Sequence, residues 1–255
     1  MAVAILEQGN HVWIFDLALE KLTRLTFEGT GNNFPAWTPD GKRIAFRSNR
    51  AGAVNIFWQL ADGSGGLERL TSNASSPSSF SPDGQLLAFA GRLDPVDISI
   101  LRLSDRNTEA FLQTQSMIGG AQFSPDGHWL AYVSTESGRP EIYVQPYPGP
   151  GGKWQISTEG GTEAVWNPNG RELFYRSGSK MMAVDVMTQP AFSPGKPKVL
   201  FESPYRRSPS IQPNYSVSPD GQRFLMLKPA EVQAATQINV VLNWIEDVKK
   251  KVLTK

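Results

Sequence analysis

The stretch Ser124-Pro125-Asp126-Gly127 is followed, after His128, by the apolar run Trp129-Leu130-Ala131-Tyr132, and this pattern recurs along the chain. Variants of the tetrapeptide stand at Thr38-Pro39-Asp40-Gly41, Ser81-Pro82-Asp83-Gly84, Asn167-Pro168-Asn169-Gly170 and Ser218-Pro219-Asp220-Gly221. The step between them is 43 residues three times and 51 residues at the end. A period of about 40 to 45 residues built on short strands is typical of propeller blades.

Each tetrapeptide is predicted to form a hairpin turn. Proline sets φ near about −65° at the first corner, Asp or Asn tolerates the second, and glycine takes the left-handed conformation that returns the chain. The predicted structural turn residues are therefore Pro39, Asp40, Gly41, Pro82, Asp83, Gly84, Pro125, Asp126, Gly127, Pro168, Asn169, Gly170, Pro219, Asp220 and Gly221.

Four short strands are predicted in each repeat. A strand of small and aromatic residues precedes each turn, an apolar strand follows it, and two more strands complete the unit, as at 141–144 and 154–157. Four strands make one propeller blade. The predicted fold is an all-β, six-bladed β-propeller of four-stranded antiparallel blades in a single domain, 1–255. The predicted blade boundaries are about 1–28 (partial), 29–72, 73–116, 117–159, 160–202 and 203–255.

The two ends of the sequence leave the number of blades open. The start is predicted to supply a second, third and fourth strand at 2–7, 11–15 and 22–26, with the first strand missing or upstream. The last unit is predicted to supply three strands, at 215–217, 224–227 and 238–244. Five or seven blades are alternatives, because ring closure could merge the terminal pieces into one blade.

Composition excludes several classes of function. A formal net charge of +1 gives no overall electrostatic case for nucleic acid or a membrane surface. No apolar run approaches the ~18 residues that span a bilayer, and the apolar start is too short for a signal peptide. The absence of cysteine excludes disulfides and thiolate chemistry but leaves the compartment undetermined.

The repeats resemble the WD40-like Pro-Asp repeats of TolB-like propellers. The segment 141–157 and the ending 238–244 resemble the propeller regions that lie C-terminal to bacterial serine/threonine kinase domains. This resemblance implies a bacterial sensor or interaction domain. The chain carries no Gly-rich nucleotide loop, His-Arg-Asp or Asp-Phe-Gly motif, so it is not itself the kinase.

Catalytic and metal-binding motifs are missing from the sequence. Its two histidines, His11 and His128, stand at unrelated blade positions, and no Gly-x-Ser-x-Gly elbow is present. The repeated turn aspartates lie on separate blades, which favours turn formation over calcium binding. We therefore predict no metal, no cofactor and no catalytic residue.

Binding residues are predicted on the rim opposite the tetrapeptide turns, because loops on a rigid scaffold commonly carry recognition residues and arginine suits carboxylates and phosphates. An insertion at 202–213 accounts for the 51-residue step, and its Tyr-Arg-Arg cluster is the preferred contact patch. The predicted binding residues are Arg47, Arg50, Arg92, Arg139, Arg176, Tyr205, Arg206 and Arg207.

Two functions follow from these observations. The first is a non-catalytic binding or sensory propeller that holds a protein or peptide partner, or a small ligand, with no nucleic acid and no membrane insertion. The alternative is a hydrolase or lyase that uses acids at the channel mouth, where Glu163 and Asn214 are predicted to begin innermost strands.

Overall fold

The computed structural model describes residues 1–72, 76–93, 96–208 and 210–228, and all regular structure within them is β-strand. The first sheet has three strands in the order β1-β2-β3. Their bounds are β1 Ala2–Leu6, β2 Asn10–Asp16 and β3 Lys21–Arg24. The three strands predicted at the start of the chain are therefore present.

Three sheets of four antiparallel strands follow, each in chain order. The first consists of β4 Asn33–Trp37, β5 Arg43–Ala51, β6 Ala53–Leu60 and β7 Glu68–Arg69. The second consists of β8 Ser76–Phe80, β9 Leu86–Leu93, β10 Val96–Arg102 and β11 Thr108–Thr114. The third consists of β12 Ile118–Phe123, β13 Trp129–Ser134, β14 Glu141–Pro146 and β15 Trp154–Gln155.

The fifth sheet is the most elaborate, because its third strand pairs with two later strands at different ends. It consists of β16 Thr162–Trp166, β17 Glu172–Ser177, β18 Lys180–Met187, β19 Ser193–Pro194 and β20 Lys198–Glu202. A two-stranded sheet, β21 Ser216–Val217 and β22 Phe224–Leu225, comes last.

The described residues form five blades rather than the predicted six. The blades are the five sheets of three or more strands, and five was one of the alternatives that the sequence left open. The predicted sixth unit contributes only the β21–β22 pair here, and its third strand, predicted at 238–244, lies outside the described residues. We number the blades by their tetrapeptides, so that blade one is β4–β7 and blade four is β16–β20. The first sheet, β1–β3, contains no tetrapeptide and is left unnumbered.

All five tetrapeptides connect a first strand to a second strand, and hydrogen bonds explain their composition. In blade three the Ser124 hydroxyl donates to Asp126 Oδ1 at 2.5 Å, and the same oxygen accepts from His128 N at 3.1 Å. The turn glycines have φ values from 67° to 76°. Because a left-handed backbone is cheap only for glycine, the turn is fixed in both sequence and shape.

The core lies between neighbouring blades. The first strands β4, β8, β12 and β16 lie side by side around the central channel, and their terminal aromatics Phe80, Phe123 and Trp166 are buried. Leu130 is fully buried in the cluster between blades two and three, so truncating it to alanine should cost about 2–5 kcal/mol. The five turns lie at one end of the channel, which we call the turn face; the opposite end is the far face.

Candidate functional site

A cavity of about 350 Å³ opens at the turn face, and we call it the cup. Its walls come from the turn prolines of blades one to four and from the aromatic residues that end the first strands. Trp166 is held in place because its Nε1 donates to the Gln122 carbonyl at 3.0 Å. Proline rings and packed aromatics give the cup stiff, apolar walls. The lining prolines are Pro39, Pro82, Pro125 and Pro168.

A second, more polar cavity of about 790 Å³ lies next to the cup, between the outer parts of blades three and four. Pro125 lines both cavities, so the cup and this cleft are adjacent on the turn face. Asp126, Arg171 and Asp185 supply charge in the outer part, and Met187 lines it with 62% of its surface exposed. We call the cup and this cleft together the turn-face groove.

The far face of the channel is covered by residues 203–208 and 210–214, which we call the strap. Gln212 Nε2 donates to Ser78 Oγ at 2.9 Å, so the strap reaches from blade four to blade two. Ile211 lies over blade three, where a Cβ added to Gly120 would come within 2.9 Å of the Ile211 carbonyl oxygen. The strap therefore crosses the channel and leaves the turn face as its open end.

Glu163 anchors the strap at two points, in its middle and at its end. Its Oε1 accepts from Ser208 N at 3.2 Å and its Oε2 from Asn214 N at 3.3 Å, while its backbone carbonyl accepts from the Tyr215 hydroxyl at 2.9 Å. Burial raises the pKa of Glu163, against the opposing effects of these amides and of Arg176 and Arg207. Its φ of 59° is a left-handed conformation that costs a residue with a side chain of order 1–3 kcal/mol.

The prediction that Arg176 lies on an exposed rim is wrong, because the structure buries it to 1% exposure. Alternation along β17 places Arg176 on the same side as Phe174, which packs against Tyr215 of the following segment. None of the three guanidinium nitrogens has a hydrogen-bond partner among the described residues. Arg176 nevertheless lies within electrostatic reach of Glu163 and Tyr215.

The predicted arginines of the earlier blades do not converge on one site. Arg47 is half-buried on β5 opposite Asn33, and Arg50 pairs with Glu28. Arg139 Nε pairs with the buried carboxylate of Glu141 at 2.9 Å, so it stabilises the start of β14. The side chain of Arg92 lies outside the described residues.

The predicted Tyr205-Arg206-Arg207 patch lies on the strap. Arg206 and Arg207 are exposed, and the half-buried ring of Tyr205 meets Phe201 edge to face at 6.2 Å between centroids. The backbone around them is fixed, since Arg206 N donates to the Leu227 carbonyl at 2.8 Å. The two guanidinium groups thus stand on an ordered part of the far face, and their role in binding stays a prediction.

The alternative hypothesis requires a second acid beside Glu163, and the charged groups that act on Glu163 are of the opposite sign. Glu163 lies near the start of β16 as predicted, but its charged neighbours Arg176 and Arg207 are cations. Asn214 belongs to the strap and donates its backbone N–H to Glu163 instead of beginning a first strand. Across the described ranges, no group of three or more His, Cys, Asp and Glu side chains could hold a metal ion.

Sequence reasoning missed the turn-face groove and the course of the strap. The prolines of the cup were assigned to the turns alone, although their repetition at one position places them in a ring around the channel. The strap was recognised only as an insertion, because Ser78, which Gln212 contacts, lies 134 residues away in sequence.

Comparison with known proteins identifies the repeats. Residues 71–243 match the family model of the TolB β-propeller domain, PD40. The chain belongs to this family. No curated protein matches it. Among the described residues of this TolB-family propeller, no helix has the length and hydrophobicity needed to cross a bilayer.

Solved structures share the fold of this TolB-family chain. TolB from Acinetobacter baumannii is 23% identical with a TM-score of 0.68, over 88% of this chain and 56% of that one. The putative TolB from Agrobacterium tumefaciens is 20% identical with a TM-score of 0.70, over 87% of this chain and 83% of that one. The chain thus spans little more than half the length of the first of these proteins.

Propeller enzymes also share the fold. An oligogalacturonate lyase in complex with manganese is 14% identical with a TM-score of 0.58, over 84% of this chain and 63% of that one. At these identities, likeness to solved structures establishes the propeller fold alone.

Proposed function

We propose that this chain is a non-catalytic binding propeller that holds an extended peptide segment of a partner protein in the turn-face groove. The observation that carries the proposal is that the apolar cup and the charged cleft lie next to each other on the turn face and share Pro125. The strap covers the far end of the channel, so the turn face is its open end.

The size and chemistry of the groove support an extended occupant. Cavities of about 300–1,000 Å³ hold ligands, usually against apolar walls with a few polar groups that set orientation. Here the apolar cup suits one or two side chains of the partner, and Asp126, Arg171 and Asp185 suit polar groups farther along it. Such a division favours a peptide that begins at the axis and continues outward over a compact small molecule, which is the alternative occupant.

A non-catalytic role is supported by the state of the acids. Asp126 in the groove accepts hydrogen bonds from its own turn, and Glu163 is occupied by the amides of the strap. Both carboxylates therefore serve the fold. No specific observation favours the hydrolase or lyase alternative.

The setting of the domain is part of the proposal. The resemblance of 141–157 to kinase-associated propellers supports an interaction domain of a bacterial serine/threonine kinase. The Tyr205-Arg206-Arg207 patch is a second candidate contact surface, supported by the exposure of Arg206 and Arg207 on the far face.

The test uses a displayed library of random linear peptides panned against the domain, with Met187→Lys as the groove variant. We expect peptides selected on the wild type to bind Met187→Lys about tenfold more weakly or worse, because the lysine places a charge against the partner's apolar contacts. Affinities are measured by calorimetry.

Matched controls separate the two faces. Met117 is also exposed, at 45%, but it precedes β12 at the far face, so Met117→Lys should bind like the wild type. An equal loss in Met117→Lys, or no enriched peptide at all, would contradict the proposal. A loss only in the Arg206→Glu, Arg207→Glu double variant would assign binding to the far-face patch instead.

A further inference from the structure

Arg176 presents a buried positive charge that the described residues leave without an acceptor. We propose that its guanidinium binds a small carboxylate anion between blade four and the strap. This inference is independent of the peptide groove, since it concerns the opposite end of the channel.

The hydrogen-bond donors of Arg176 lack acceptors among the described residues. A guanidinium carries five N–H donors, and none of its three nitrogens finds a partner in the part of the chain that the structure describes. Its neighbour across β17 and β18 is Met181, and Phe174 lies on the same side of the sheet. An unpaired charge in such apolar surroundings is costly unless an anion or water joins it.

Glu163 does not neutralise Arg176 by direct contact. Its two carboxylate oxygens accept from the amides of Ser208 and Asn214, and Arg176 forms no ion pair or hydrogen bond with the described residues. Burial also raises the pKa of Glu163, which weakens its hold on a full negative charge. The guanidinium therefore keeps its capacity to bind another acceptor.

The local charge selects the class of anion. Arg176 and Arg207 both act on Glu163, and the three groups sum to a single positive charge when all of them are ionised. A monoanion balances this charge, whereas a phosphate carries about −1.5 to −2. The planar fork of a guanidinium matches a carboxylate with two parallel hydrogen bonds.

The combination of Glu163 and Arg176 is particular to blade four. The positions equivalent to Glu163 and Arg176 are Gly120 and Val133 in blade three. Blade one has an arginine at the second position, Arg47, but Phe34 at the first, and Arg47 is half-exposed. Blade four thus combines a buried arginine, a buried acid and the strap that covers both.

The test measures uptake of sodium acetate by the whole chain, with calorimetry and thermal unfolding, against sodium chloride and sodium phosphate at equal ionic strength. We expect saturable acetate uptake and a rise in Tm, because a ligand that binds only the folded state stabilises it. Arg176→Met should weaken uptake about tenfold or more, through loss of charge-assisted hydrogen bonds. Arg47→Met, at the same repeat position, should bind acetate like the wild type.

A second variant keeps the proposal testable if Arg176→Met fails to fold. Arg176→Lys keeps the positive charge but lacks the planar fork that holds a carboxylate with two hydrogen bonds, so it should take up acetate several-fold more weakly than the wild type. The proposal is overturned if the wild type shows no saturable uptake, if Arg47→Met loses as much as Arg176→Met, or if Arg176→Lys binds as tightly as the wild type. A stronger response to phosphate than to acetate would overturn the assignment to a carboxylate.

Discussion

Blades three and four have equivalent first, second and third strands and a tetrapeptide turn at positions 43 residues apart, yet they differ where they meet the strap. In blade three the differing positions are Gly120 and Val133, whose small side chains leave room for the strap. Blade four offers Glu163 and Arg176, which bring charge into the same place. The residues that repeat from blade to blade therefore maintain the propeller. Different residues at two equivalent positions turn a packing surface in blade three into a polar site in blade four.

The largest expected effect comes from putting the blade-four arginine into blade three. Val133 is fully buried, and Gly120 beside it supplies no carboxylate. Val133→Arg should therefore lower the free energy of unfolding by about 3–5 kcal/mol, as expected for an uncompensated buried charge. Urea denaturation measures the loss.

The reverse exchange, Arg176→Val, is the control for that prediction. It should cost much less, because Arg176 gives up no hydrogen bond with the described residues. Equal losses in the two variants would show that Arg176 is as well compensated as a core residue, and the contrast between the blades would fail.

A smaller effect is expected at the glycine that allows the strap to approach. In Gly120→Ala the new Cβ meets the Ile211 carbonyl oxygen, and φ of 63° strains the backbone as well. We expect a loss of about 1–3 kcal/mol in thermal and chemical unfolding.

The turn glycine Gly41 provides a matched comparison for Gly120. Its φ is 67°, but a Cβ there meets nothing within 4 Å, so Gly41→Ala reports conformational strain without the strap. Gly120→Ala should be the more harmful of the two. If the two variants lose equal stability, the contact between strap and blade three contributes nothing.

The smallest effect is expected in the turns, where blade three has Asp126 and blade four has Asn169. Burial alone would raise the pKa of Asp126, but hydrogen bonds from Ser124 and His128 N hold it below its ordinary 3.8. Stability from a lowered carboxyl pKa is present above 3.8 and lost as pH falls through the folded-state value. Asp126→Asn should lower Tm slightly at pH 7, and the difference from wild type should shrink in acid.

That pH dependence can be read from Tm values measured between pH 7 and acid unfolding. The pH dependence of stability from Glu163 has the opposite sign. Because its pKa is raised in the folded state, its contribution to stability is present at low pH and is lost as pH rises. A Tm difference between Asp126→Asn and wild type that grows in acid would show that the turn hydrogen bonds do not set the pKa of Asp126.

Much of the propeller could be predicted from sequence because its determinants are local. Proline, Asp and glycine in one tetrapeptide fix a turn, and the apolar run after it fixes the next strand. The number of blades could not be predicted in the same way, since it depends on how short terminal strands pair across the ring.

The candidate site depends on contacts that sequence spacing does not contain. The direction of the Arg176 side chain follows from the twist and neighbours of β17, so a residue placed at the rim by its position near a loop proved to be buried. Gln212 meets Ser78 only because the strap crosses the channel from blade four to blade two. The cup could have been anticipated from the prolines alone, because equivalent positions in consecutive blades share one face of the propeller.

The most direct test of binding at the turn face is hydrogen–deuterium exchange of the domain with and without a peptide selected on it. We expect slower exchange in the turns around Pro125 and Pro168 and near Met187, with the strap unchanged. Protection confined to the strap around Arg206 and Arg207, with no change at the turns, would contradict binding at the turn face.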